Sequence, residues 1–113
     1  MPMGEIDRAM REGDAEMLVP YFGSSIDITI NNAQSTYSPA QAEMVLRKFF
    51  LKNGVRSFEL LGANEVPSDN VLFRIGTLET TKGSFRVYLY LKSSDNKVTL
   101  RHIRIDNNPH KNK

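Results

Sequence analysis

From about residue 57 to residue 106 the hydrophobic period of this chain is two, and it hardly departs from that. Phe85, Val87, Leu89 and Leu91 alternate with Arg86, Tyr88, Tyr90 and Lys92, and such alternation sends successive side chains to opposite faces of a strand. Four runs of this kind follow one another, at about Ser57–Glu65, Val71–Thr80, Ser84–Lys92 and Lys97–Asp106. The breaks between them are Pro67-Ser68-Asp69-Asn70, Lys82-Gly83 and Ser94-Asp95-Asn96. Each is short enough for an antiparallel hairpin and too short for a crossover. A sheet with one apolar face needs a cover, so the first half of the chain must supply it.

The first half carries that cover at helical spacing. Ser38-Pro39-Ala40-Gln41 reads as a capping box, with proline at the first helical position, where its missing N–H is not needed. Ala42, Val45, Leu46, Phe49 and Phe50 then mark one apolar face, and Gly54 is the stop. Upstream, Ile6, Ala9 and Met10 fall on one helical stripe until Gly13-Asp14 interrupts it. Asp14 is the expected N-cap of a second short helix whose apolar side is Met17, Leu18, Tyr21 and Phe22. Pro20 makes its last turn irregular. Ile26, Ile28 and Ile30 alternate with Asp27 and Thr29 in a further strand, Asn31-Asn32 turns, and Gln34 to Tyr37 return. Phase breaks near Gly76 and near Arg101-His102 predict bulges that bend the sheet.

The fold class is therefore α+β: N-terminal helices and one capped helix on a curved antiparallel sheet. A single domain is expected over residues 1–106, with the polar residues 107–113 as a frayed tail. Hydrophobic residues make up 40% and charged residues 25% of the chain, which is ordinary globular composition and argues against disorder. The 15 basic and 13 acidic side chains leave a net charge of +2, too small an excess for a strong field toward nucleic acid or an anionic membrane. Cysteine is absent, which excludes disulfides, thiol catalysis and cysteine-ligated zinc. The longest apolar run, Val87 to Leu91, is too short for a spanning helix, and Met1 to Arg11 is too polar for a signal peptide.

The element order, with the opening Ala9-Met10-Arg11-Glu12-Gly13-Asp14-Ala15-Glu16-Met17-Leu18 and then Tyr21-Phe22, resembles the nuclear transport factor 2-like superfamily. More narrowly, Tyr37-Ser38-Pro39-Ala40-Gln41-Ala42-Glu43 with Phe49-Phe50 is similar to a bacterial family of unknown function within it. Ile75-Gly76-Thr77-Leu78, Phe85-Arg86-Val87-Tyr88 and Leu100 to Ile105 fit that family too. The resemblance implies a cone-shaped fold. It also implies an exported, periplasmic location, with the cytoplasm as the alternative. It does not imply a chemistry, because the superfamily contains both enzymes and binding modules.

Residue by residue, no catalytic motif emerges. Superfamily enzymes hold a carboxylate base or His–Asp pair between helices and sheet, with an oxyanion donor beside it. Here Asp27 and Glu59 alternate with apolar residues and should face away from the core. His102, beside the expected bulge, is the residue that would turn inward, and Tyr37 is the other candidate for ligand binding. A lone strand histidine is more commonly structural, and His110 falls in the tail. No metal-ligand spacing, phosphate loop or dinucleotide motif is present, so neither a metal nor a cofactor is expected. Arg86, Tyr88 and Tyr90 share the second face of their strand. With Arg74, Arg101 or Arg104 they suit a homodimer interface better than nucleic acid, and plain cross-strand packing is the bland account. The reading is a non-enzymatic module that binds a small apolar ligand or a protein; the alternative is a small-molecule isomerase or dehydratase using an acid/base residue in the cone.

Overall fold

Among the described residues, two α-helices and the 3-10 helix Glu16–Tyr21 cover one face of a six-stranded sheet. The structure is a computed structural model and describes residues 2–66 and 69–108. In chain order the elements are α1 (Pro2–Glu12), the 3-10 helix (Glu16–Tyr21), β1 (Phe22–Ile30), β2 (Ala33–Tyr37), α2 (Pro39–Asn53), β3 (Val55–Val66), β4 (Val71–Thr80), β5 (Gly83–Ser94) and β6 (Lys97–Asn107).

Ser38 caps α2 reciprocally. Its hydroxyl accepts from the Gln41 N–H at 3.3 Å, and its own N–H donates to Gln41 Oε1 at 3.1 Å. Gly54 ends the helix in the left-handed region, at φ +68°, and its N–H donates to the Phe50 carbonyl at 2.9 Å. Ala42, Leu46, Phe49 and Phe50 are buried and Val45 half-buried, as the apolar stripe predicts. Phe49 meets Phe85 of β5 edge-on with ring centroids 5.1 Å apart, so the helix stripe and the strand's apolar row form one core.

The second helix differs from expectation. It is a 3-10 helix with Pro20 inside it, and its cap position falls on Ala15, which makes no side-chain capping bond. Asp14 still serves this turn, because its Oδ1 accepts from the Met17 N–H at 3.3 Å. The i→i+3 pattern leaves fewer interior donors to satisfy, which accommodates the proline.

The strand order is β2-β1-β6-β5-β4-β3. Four ladders are antiparallel, but β1 and β6 run parallel, so the sheet is mixed. Alternation does not report strand direction. The direction follows from α2, which carries the chain from β2 at one edge to β3 at the other. Both expected bulges exist. Opposite Gly76 and Ile75 stand Leu60 and Gly62, which leaves Leu61 over on β3; opposite Tyr90 and Leu91 stand His102 and Leu100, which leaves Arg101 over on β6. At Gly76 an added Cβ would lie 2.3 Å from the Phe58 ring, so glycine is what lets that buried ring lie on the sheet.

Consecutive left-handed residues, Asn31-Asn32 and Asp95-Asn96, make two of the two-residue hairpins. The break expected at 67–70 includes Pro67 and Ser68, which lie outside the described residues. Asn107, expected in the tail, pairs with Phe85, and the buried Asn108 donates its N–H to the Ser84 carbonyl at 3.0 Å. The sheet therefore extends past residue 106, and residues 109–113 lie outside the described part.

Two side-chain contacts tie α1 to its surroundings. The Arg74 guanidinium of β4 forms a bidentate pair with the Asp7 carboxylate. The Tyr21 hydroxyl donates to Glu5 Oε2 at 2.6 Å. That hydrogen bond, then burial, then the Glu5 charge push the phenol up from 10 to about 12. The folded value lies above the unfolded one, so the bond's stabilisation is complete below about pH 10 and is lost as pH rises through about 12.

Two outcomes follow. Ser38→Ala should cost about 1 kcal/mol and Phe49→Ala about 3–5 kcal/mol in urea-unfolding experiments. A neutral Phe49→Ala would contradict the packing of α2. In ultraviolet titrations of the native protein and Tyr21→Phe, the difference should isolate a phenol ionising near pH 12. Glu5→Gln should bring it back toward the ordinary range.

Candidate functional site

The inner side of the sheet is filled with hydrocarbon. Ile6, Met10, Leu18, Leu46, Leu89 and Ile103 are at most 1% exposed, and they come from α1, the 3-10 helix, α2 and two central strands. The ionisable residue that β4 turns to this side, Arg74, is committed to Asp7. Tyr37 pairs with Ile26 at the end of β2 and is half-buried against the same core.

His102 is not on that side. The extra residue of the β6 bulge is Arg101, and this absorbs the phase slip, so Leu100 and Ile103 both face inward while His102 faces out. The expectation that His102 turns inward is thereby corrected. His102 and Tyr37, the two ligand-binding candidates, lie on opposite faces and do not form one site.

The chemistry gathers on the outer face instead. Register aligns Asp27 of β1, His102 of β6, Tyr90 of β5 and Phe73 of β4 in one row across the sheet. The next row is Thr29, Arg104, Tyr88 and Ile75, and beyond it lie Asp106, Arg86 and Thr77. Arg86, Tyr88 and Tyr90 thus share a face as their spacing predicts, and Glu59 is exposed. Arg74 does not join the basic row, because it belongs to the opposite face.

This face divides into two halves. On β4 and β5 it is aromatic: Phe73 and Tyr88 are 40% and 38% exposed, and Tyr90 meets Phe73 edge-on with centroids 5.2 Å apart. Arg86 is half-buried, with Nε in contact with no acceptor among the described residues. On β1, β2 and β6 it is a hydrogen-bonded polar net. Arg104 donates to Asp106 and to Asn32, each at 2.8 Å. The first of those bonds, then the Asp106 charge, raises the Arg104 pKa.

His102 is oriented by Thr29, whose buried hydroxyl lies 2.8 Å from Nε2 and donates to Gln34 Oε1 at 3.1 Å. A hydroxyl has one proton. Given to Gln34, it requires Nε2 to carry the imidazole hydrogen and leaves Nδ1 as the basic nitrogen. Beside His102 an open groove of about 400 Å³ runs along β1, lined by Ser24, Ser25, Asp27, Tyr90, Arg101 and His102 among others. The spacing of residues does not reveal it, because it arises where β1 and β6 lose register. Among the described residues no cluster of three or more histidine, cysteine or acidic side chains is placed to hold a metal.

Comparison with known families supplies the affiliation. The family described as Domain of unknown function (DUF4783) matches residues 3–106. The chain belongs to that family. A DUF4783 protein from Bacteroides ovatus is 30% identical and superposes with a TM-score of 0.87 over 92% of this chain and 93% of its own. A nuclear transport factor 2-like protein of unknown function from Shewanella baltica shares only the fold, at 12% identity and TM-score 0.68 over 96% of this chain and 89% of its own. So does a protein of unknown function with a cystatin-like fold from Nostoc punctiforme, at 13% identity and TM-score 0.70 over 96% and 86%. No curated protein matches this chain by sequence. Among the described residues of this DUF4783 domain, no helix is long and apolar enough to cross a membrane.

Neutral His102 should be the Nε2–H tautomer, which ¹⁵N NMR of the ring distinguishes directly. Thr29→Val should release that preference and cost about 1–3 kcal/mol, because it leaves a half-buried ring nitrogen unpaired. An Nδ1–H ring in the native protein would reverse the assigned proton order.

Proposed function

We propose that this DUF4783 domain is a non-enzymatic interaction module that pairs with a second copy of itself through the outer face of β4 and β5. The observation that carries the reading is the neighbouring exposure of Phe73 and Tyr88 on the two strands, with Ile75 between them half-buried. Aromatic side chains of this size expose apolar area that water hydrates poorly, and tyrosine adds a polar tip suited to a contact surface. The strands beneath are anchored by the core, so the patch is presented without a large ordering cost.

The rim supports a self-complementary contact. Arg86, Arg104 and Asp106 place both signs of charge beside the aromatic centre, and a two-fold axis through such a patch brings unlike charges together. A stable pair needs about 1,000 Å² of buried surface in total, so the contact would extend from β4 and β5 onto the neighbouring strands of the outer face. The alternative, an isomerase or dehydratase, would need an ionisable group on the helix side free to move a proton; Arg74 and Asp7 there engage each other, which leaves Tyr37 as its candidate.

Sedimentation or light scattering should give a dimer for the native chain and a monomer for the Tyr88→Glu, Tyr90→Glu double variant. A native monomer across micromolar concentrations would sink the proposal. A dimer that tolerates both glutamates would refute this face as the interface.

A further inference from the structure

The groove on the other half of the outer face exists because two strands disagree in length. Between the pairs Phe22–Leu100 and Asp27–His102, β1 spends residues 23–26 where β6 spends only Arg101. The β1–β6 ladder opens there, and a hollow of about 400 Å³ takes its place, within the usual scale of small-molecule sites. Bulges of this kind commonly re-aim side chains toward a site.

The lining carries two opposite charges that do not satisfy each other. Arg101 and Asp27 both line the hollow, yet no ion pair or hydrogen bond joins Arg101 to any partner among the described residues. Asp27 accepts from the Thr36 hydroxyl at 2.6 Å through Oδ1, which leaves its second oxygen open. Around them stand Ser24, Ser25 and Tyr90, whose side chains can each donate and accept, and His102, whose Nδ1 is not engaged by Thr29.

From this we infer that the groove binds a small zwitterion of the α-amino-acid class, its carboxylate on Arg101 and its ammonium on Asp27. A simple anion would meet the Asp27 charge, and a simple cation would meet Arg101. A molecule bearing both charges a few bonds apart satisfies each, and the volume leaves room for a side chain. Guanidinium suits the carboxylate because it offers paired donors in one plane. The site is open to water, so affinity should be modest, on the order of millimolar. This inference does not depend on dimerisation, since the two charges it uses, Asp27 and Arg101, lie on β1 and β6.

The test is an amide NMR titration of the ¹⁵N-labelled chain with glycine and L-glutamine, against sodium acetate and methylammonium chloride at equal ionic strength. The zwitterions should produce saturable shifts at Ser24, Ser25, Asp27 and Arg101, with acetate and methylammonium at least about ten-fold weaker. Arg101→Gln and Asp27→Asn should each weaken glycine by about ten-fold or more while the rest of the spectrum stays in place; the asparagine keeps the Thr36 bond. Acetate equal to glycine, or no saturable response up to roughly 50 mM, would overturn the inference. So would binding that ignores both substitutions. The Tyr88→Glu variant should bind glycine as the native chain does, which separates this result from the fate of the dimer.

Discussion

Burial of the row Phe85, Val87, Leu89 and Leu91 organises everything else in the domain. The four side chains are between 0 and 6% exposed on a central strand, and each contributes about 1.5–3 kcal/mol by leaving water. That gain requires a lid, and the lid requires α2 to present Phe49 and Phe50 in phase, which the Ser38 cap and the Gly54 stop make possible. It also requires the sheet to bend. The bulges at Leu61 and Arg101 absorb the bend, and Gly76 admits the Phe58 ring where any side chain would collide with it. One face of one strand thus explains the helix boundaries, the irregularities in the sheet and the position of a glycine.

How much of this was legible before any coordinates depends on whether the cause is local. The Ser38-Pro39-Ala40-Gln41 cap, the Gly54 stop and the Asn31-Asn32 turn are decided within a few residues, so the sequence displays them. The face of Arg86, Tyr88 and Tyr90 follows from alternation alone. The parallel pairing of β1 with β6 joins residues more than seventy positions apart, and nothing local reports it. His102 shows the limit most clearly. The phase slip was visible near it, but which residue takes up the slack is decided by the partner strand, and Arg101 does so. Asn107 and Asn108 look like tail because they are polar; hydrogen bonds to β5, not apolarity, hold them. The groove was invisible for the same reason as the parallel ladder, since it is a property of two strands together.

The outer face combines two surfaces of opposite character on one rigid support. Its aromatic half presents area, and its polar half presents directed hydrogen bonds, as in the chain from Gln34 through Thr29 to His102. Tyr90 borders both, touching Phe73 on one side and lining the groove on the other. In this domain the helix side is packed with hydrocarbon, whereas the outer face carries most of the exposed aromatic and polar side chains described above.

The parallel ladder also fixes the order in which the chain can become a domain. The β1–β2 hairpin touches the rest of the sheet only through β6, the last strand made. During synthesis Ile28 and Ile30 must wait for Ile103 and Ile105 before their ladder can form. The wait spans nearly the whole chain, and closing so long a loop is an entropic cost that precedes any reward. A polypeptide released one strand early would hold a three-stranded meander, an unattached hairpin and a helix with half its cover. Completion of this sheet therefore waits for β6, the strand that joins the β1–β2 hairpin to the β3–β4–β5 meander.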